Sequence, residues 1–195
     1  MNERQKMTAG ELYNPSDEEL HKLRAKAHRL CMRYNQLIDP DDEERYEILR
    51  ELMPYSDHDD IYFRGPIYFD YGINTYIGKN FYANFNTTIL DVCPVRIGEN
   101  VMLGTGVSLL TPIHPLRWKE RNPQPDADGE MRVLEYGKPI TIGSNCWLAS
   151  NVTVVGGVTI GDGSVIGAGS VVTHDIPANV FAAGVPCNVV KVIDN

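Results

Sequence analysis

Nowhere in this chain of 195 residues is there an unbroken apolar run of about 18 residues, so no membrane-spanning helix is expected. An excess of positive charge is lacking too. Eighteen Lys and Arg stand against 26 Asp and Glu, a formal net charge of -8. That balance argues against non-specific binding to nucleic acid or to anionic membranes, since both need a basic face. Cysteine is scarce, and Cys31, Cys93, Cys146 and Cys187 include no CxxC pair. Such spacing fits buried free thiols better than a disulfide framework or a metal-ligand pair. Met1 to Lys6 is polar and charged, without the apolar stretch of a signal peptide, so a cytoplasmic location is expected. With 43% hydrophobic and 23% charged residues, the chain reads as an ordinary globular protein of one domain with an appendage.

What is present changes character at about residue 60, which predicts a helical cap over 1–58 and a repeat domain over 59–195. In the first part, Ser16 and Glu19 have the spacing of a capping box. Leu20, Leu23, Ala27, Leu30 and Tyr34 then recur at helical period. A second start signal is Asp39-Pro40 followed by the acids Asp41 to Glu44. Ile48, Leu49, Leu52 and Met53 give that helix its apolar face, and Pro54 stops it.

In the second part Ile142, Leu148, Val154, Ile160, Ile166 and Val172 are aliphatic at a strict spacing of six. Three residues after each stand Asn145, Asn151, Gly157, Gly163, Gly169 and Asp175, mostly residue types that tolerate a left-handed turn. The same register appears at Ile97, Leu103 and Leu109, and again at Ile77, Ala83 and Ile89. A six-residue period suits neither a helix nor a long strand. It suits a short strand plus a turn, three of which close a triangular coil whose anchors stack about 4.8 Å apart. The phase slips by two residues between Ile89 and Ile97, and fails altogether in a loop at 112–139. A loop that long inside a compact repeat is usually functional. It opens with Thr111-Pro112-Ile113-His114-Pro115, which puts a histidine, a side chain suited to proton transfer, at the edge of a rigid coil.

The chain resembles the maltose/galactoside O-acetyltransferases of the hexapeptide-repeat superfamily over nearly its whole length. The resemblance is carried by Met7-Thr8-Ala9-Gly10-Glu11-Leu12-Tyr13, Asp70-Tyr71-Gly72, Asn80-Phe81-Tyr82-Ala83-Asn84-Phe85 and Leu90-Asp91-Val92-Cys93-Pro94. It continues through His114-Pro115, Pro139-Ile140-Thr141-Ile142-Gly143 and Ala183-Gly184-Val185-Pro186-Cys187. It implies a left-handed parallel β-helix, an exception to the right-handed crossover rule, and a homotrimer with active sites between subunits. It also implies direct transfer of an acetyl group from acetyl-CoA to a sugar hydroxyl, with His114 as general base and no metal. Asn84, Tyr82, Asp91 and Asp70 would line the sugar pocket, with Asp17 reaching in from the cap. Trp147, Ser150, Gly167, Ala168, Thr173, Asn188 and Lys191 match the positions that hold coenzyme A, with Ser150 offering a backbone N–H to the oxyanion.

Two departures weaken the phosphate contacts, since His174 follows Thr173 and Asn188 stands where relatives often carry arginine. A zinc carbonic anhydrase on the same prism would need three converging histidines. His21 and His28 belong to the first helix and His58 to a linker, leaving only His114 and His174 in the coils. A non-catalytic scaffold would need neither the loop nor its histidine. An acetyltransferase of antibiotics or other xenobiotics is the alternative within the superfamily.

Overall fold

The six-residue period folds into short strands and sharp turns, and the strands stack as three parallel sheets that close a triangular prism. The structure, a computed structural model, describes residues 1–39, 43–58, 60–125 and 128–194. Face I stacks Ile61–Phe63, Phe81–Ala83, Met102–Leu103, Trp147–Leu148, Val165–Ile166 and Val180–Gly184. Face II stacks Ile67–Phe69, Thr87–Leu90, Ser108–Leu110, Thr153–Val155 and Val171–Val172. Face III stacks Thr75–Ile77, Val95–Ile97, Ile140–Ile142 and Thr159–Ile160. A last strand, Cys187–Val192, folds back antiparallel on face I.

The anchors fill the prism. Leu103, Leu148 and Ile166 pair in register on face I, and Leu109, Val154 and Val172 do so on face II. Leu148, Val154, Ile160, Ile166 and Val172 are 0% exposed. Burying one such side chain contributes about 1.5–3 kcal/mol, so the stacked column dominates the stability of the coils. The turn residues take the left-handed conformation at Asn80, Asn86, Asn100, Gly106, Asn145, Asn151, Gly157, Gly163 and Gly169. Asparagine has a further reason to recur there. The Asn80 amide donates to Asn100 Oδ1 at 2.9 Å, and Asn100 donates to Asn145 Oδ1 at 3.1 Å, forming a side-chain ladder along one corner.

Three expectations need correction. Asp175 is not left-handed; Asn179 is, and the Asp175 carboxylate instead accepts from the Thr159 amide at 2.7 Å. The last coil is shorter, with Ile160 bridged to Ile176 rather than to a residue eighteen on, so the turn phase moves. The first coils are longer. Ile61 pairs with Phe81 and Thr88 with Ser108, twenty residues apart, whereas Thr153 pairs with Val171, eighteen apart. Finally, the cap of the long helix is Asp17, not Ser16: Asp17 Oδ1 accepts from Glu19 N at 3.0 Å and Leu20 N at 3.2 Å. A carboxylate at this position also meets the positive end of the helix dipole.

Three helices precede the prism, α1 (Glu3–Ala9), α2 (Glu18–Gln36) and α3 (Glu43–Leu52). Helix α1, capped by Asn2 and Gln5, was not anticipated. The expected start signal at Pro40, Asp41 and Asp42 lies outside the described residues. The cap closes the open end of the solenoid, where the first strand of each face has unpaired backbone groups. Asn35 both donates to Ile67 O at 2.9 Å and accepts from Ile67 N at 2.7 Å. Tyr34 and Arg45 reach Phe63 O, and Ser56 Oγ serves Thr75 O and Ile77 N. The four cysteines are buried and free. Burial pushes the Cys31 and Cys93 thiols up to about 11, which leaves them unreactive. No helix among the described residues is long and apolar enough to cross a membrane.

Candidate active site

Every change of coil length gathers at one edge of the prism, the corner between faces II and III. The two extra residues of the early coils enter there, at Asp70–Asn74 and Asp91–Pro94, and the 112–139 loop leaves from the same edge one coil on. Asp91 holds this corner together. It is 0% exposed and accepts from the amides of Tyr71, Gly72 and Asn74 at 2.9–3.1 Å and from Thr75 Oγ1 at 3.0 Å. This corrects its expected place in a sugar pocket. A carboxylate with four internal donors and no exposed surface shapes the turn and presents no oxygen at the surface of the chain. The N-terminal segment seals the outside, with Met7, Tyr13, Leu20, Tyr71 and Val92 forming a second small core. The approach is tight: a Cβ at Gly10 would lie 2.9 Å from Gly137 O.

His114 rises from this corner. Pro112–Ile113 pairs antiparallel with Tyr136–Gly137, so the two ends of the loop are zipped together rather than free. Its middle, with the short helix α4 (Trp118–Arg121), stands out with Leu116 90% exposed. His114 is half exposed, and its Nε2 lies 3.7 Å from Glu135 Oε2. Glu135 is itself largely buried and accepts a short hydrogen bond from the Tyr13 hydroxyl at its other oxygen. Tyr13 and Glu135 also exchange both backbone hydrogen bonds, at 3.0 and 3.2 Å. Burial and the neighbouring Glu135 push the Tyr13 hydroxyl far above its ordinary value, so it stays a donor. The chain Tyr13–Glu135–His114 therefore fixes a carboxylate against the imidazole. Sequence reasoning missed Glu135, which belongs to no repeat and touches the site only through the fold of the loop. Tyr13 lay within a quoted motif, without a role.

Asp70 sits at the same corner, largely buried, with His28 Nε2 3.9 Å away. Burial pushes its carboxyl up, His28 and Arg24 pull it back, and the charge of Glu135 adds to the rise. Glu135 thus stands between the two, adding its charge to the surroundings of Asp70 and lying 3.7 Å from His114. Asp17 stands at the start of α2 with one oxygen engaged in capping.

The other expected residues lie elsewhere. Tyr82, Met102, Trp147, Val165 and Phe181 are registered neighbours along the outside of face I, with Tyr62 above them. In the corresponding rows face II presents Tyr68, Thr88, Ser108, Thr153 and Val171, and face III presents Tyr76, Arg96, Thr141 and Thr159. Asn84, Ser150, Gly167 and Ala168 line the turn from face I to face II. Asn84 Oδ1 caps the Phe85 amide at 2.8 Å. Gly167 has a structural reason to be glycine, since a Cβ would lie 2.8 Å from that of Ala183, whereas Ala168 is exposed and Gly169 faces open space. Asn188 and Lys191 are exposed on the returning strand, and Thr173 is exposed after the last strand of face II. Among the described residues no group of three or more His, Cys, Asp or Glu is arranged to hold a metal ion.

A parallel β-helix of hexapeptide repeats with a helical cap and a histidine at its one long loop defines the class, a hexapeptide-repeat transferase. Residues 139–174 match the bacterial transferase hexapeptide model of six repeats, and residues 6–55 match the maltose acetyltransferase hexapeptide capping motif. The galactoside O-acetyltransferase of Escherichia coli (strain K12) is 42% identical over 191 residues, 98% of this chain and 89% of that protein. A maltose O-acetyltransferase structure from Clostridium difficile 630 superposes with a TM-score of 0.89 at 40% identity, covering 100% of this chain and 99% of that one. A galactoside acetyltransferase in complex with coenzyme A gives 0.88 at 39% identity, covering 100% and 92%. The chain belongs to the maltose/galactoside acetyltransferase family.

Proposed function

We propose that this protein transfers the acetyl group of acetyl-CoA directly to a hydroxyl of a sugar, with His114 as the general base. The observation that carries this reading is the largely buried carboxylate of Glu135, tied to Tyr13 and set 3.7 Å from the His114 imidazole. His114 takes the hydroxyl proton as the oxygen attacks the thioester carbon. The tetrahedral oxyanion is met by the Ser150 amide, the C–S bond breaks, and the proton passes from His114 to the departing thiolate. Glu135 acts as a positioning residue that holds the ring and steadies its protonated form during transfer. Asp17 and Asp70 accept sugar hydroxyl bonds, while Tyr82 and Asn84 complete the pocket. Trp147 and Ala168 flank the pantetheine arm, which Gly169 leaves room for. Gly167 serves the coil itself. Thr173, Asn188 and Lys191 receive the nucleotide end.

The protein works as a homotrimer, and the site forms between copies. In one chain His114 belongs to the II/III corner, whereas Asn84, Ser150 and Ala168 belong to the I/II corner. A second copy laid against the later part of face I, from Met102 to Phe181, would bring the two sets together, with the projecting loop lying across the neighbour and the Tyr62–Tyr82 end left open. Mixed trimers test this. His114→Ala and Asn84→Ala chains, each inactive alone, would regain about a quarter of the wild-type activity when co-assembled one to one, because one junction in four has both residues intact. No recovery would place both residues in one subunit.

The reaction itself is tested by following thiol release from acetyl-CoA with a panel of glucose, maltose and galactosides. Release that depends on sugar supports the reading. Release only with antibiotic or other xenobiotic acceptors would replace the sugar.

A further inference from the structure

A second cleft opens at the corner between faces III and I, under helix α3. Its volume is about 660 Å³, within the range of small-molecule sites. Tyr46 and Arg50 of α3 form one wall. Tyr62, Lys79, Asn80 and Asp60 of the first coils form the other.

Two features of this lining bear on what it holds. Its charges are mixed, with Arg50 and Lys79 beside Asp60, and His58 and Ile61 complete the lining. Lys79 is moreover 3.9 Å from Asp57. A lining of cations, carboxylate and amide around aromatic rings suits a neutral polyol, whose hydroxyls both donate and accept and whose ring faces stack on tyrosine.

The second feature is continuity. Tyr62, on the cleft wall, stacks on Tyr82 with centroids 5.9 Å apart and planes 11° from parallel. Tyr82 is the residue assigned above to the sugar pocket, one coil away. The two rings make one aromatic strip that leads from the acceptor site into the cleft.

We infer that this cleft is a distal acceptor subsite, which binds the second and third rings of a linear neutral oligosaccharide whose terminal ring is acetylated beside His114. The inference rests on the sugar-acetyltransferase reading and narrows its substrate class from a simple sugar to an oligosaccharide. The cleft lies away from the II/III corner, so its residues act on acceptor binding and not on proton transfer.

The test compares glucose, maltose, maltotriose and cellotriose at saturating acetyl-CoA, using the wild-type oligomer and the Tyr46→Ala, Arg50→Ala double variant. Both side chains are exposed on α3, and thermal melting checks that the fold survives. The expected result is a kcat/KM about tenfold higher for one of the trisaccharides than for glucose, corresponding to one well-made ring contact. The double variant should lose that gain and treat the trisaccharide as it treats glucose. Calorimetric binding of the same trisaccharides without acetyl-CoA gives a readout independent of turnover, and it should weaken in the double variant. Equal kcat/KM at every chain length, or a length gain that survives the double variant, would overturn the subsite while leaving sugar acetylation standing. Failure to acetylate any sugar would instead remove the reaction, and trisaccharide binding lost in the double variant would still support the cleft. Tighter binding of ATP than of either trisaccharide, lost in the same variant, would overturn it in favour of a nucleotide site.

Discussion

The II/III corner and the I/II corner are cut from the same repeat, yet one is built from exceptions and the other from the rule. At the I/II corner the turns after the first keep one phase, and Asn86, Gly106, Asn151 and Gly169 repeat one backbone conformation. At the II/III corner two coils carry extra residues, the third releases the long loop, and the N-terminal segment folds over the outside. The regular corner supplies repeated small residues and amides along one line, the groove proposed above for the cofactor arm. The irregular corner supplies single side chains, each aimed by a local departure. A repeat can offer a groove, but a site needing one base and one carboxylate must break the repeat.

The comparison breaks most visibly if the chemistry is removed from the irregular corner. His114→Ala should lower turnover by about 10²–10⁴ with the thermal midpoint unchanged, as measured by thiol release from acetyl-CoA. Equal activity in that variant would sink the proposed base.

Next is the residue that shapes the same corner. Asp91→Ala leaves three amides and one hydroxyl buried without an acceptor, a loss of about 3–5 kcal/mol. It should appear as a large drop in thermal midpoint; a raised acceptor KM at full stability would return Asp91 to the sugar pocket.

Glu135→Gln keeps a partner for Tyr13 but removes the charge facing His114. The expected effect is a fall of about 10–10² in kcat with little change in either KM, the signature of a misplaced base rather than a lost contact. An unchanged kcat would assign Glu135 to loop packing alone.

The smallest effect belongs to the regular side. Asn188→Arg adds a cation on the exposed returning strand, and an exposed ion pair is worth about 1 kcal/mol at most. The KM for acetyl-CoA should fall about fivefold at low salt, and the gain should fade at high salt. A gain indifferent to salt would mean that the arginine acts by packing.

Much of this molecule was written in short-range order. The anchors from Ile77 to Val172 specify a prism because identical spacing forces identical geometry in each coil, and stacked aliphatics have one way to exclude water. The asparagines and glycines three residues later specify the turns because few residues accept a left-handed backbone. His114 could be singled out because it opens the one long interruption. The helices over 16–53 followed from their apolar stripe, although their first cap was misplaced by one residue. Asp17 and Ser16 are both good caps, and only the entry angle of the chain chooses between them.

The arrangement of the site was decided in three dimensions. Asp91 and Asp70 are both aspartates at extra positions of the same corner, and nothing local tells them apart. The fold surrounds one with four donors and leaves the other partly open. Glu135 stands 21 residues beyond His114 and 122 beyond Tyr13, so its role exists only once the loop is zipped and the N-terminus is laid across it. Sequence by itself determined the coil, through contacts repeated at fixed spacing. The tertiary structure decided which acids are sealed into the scaffold and which stay partly open, because burial and hydrogen bonding there depend on segments that meet only after the prism has formed.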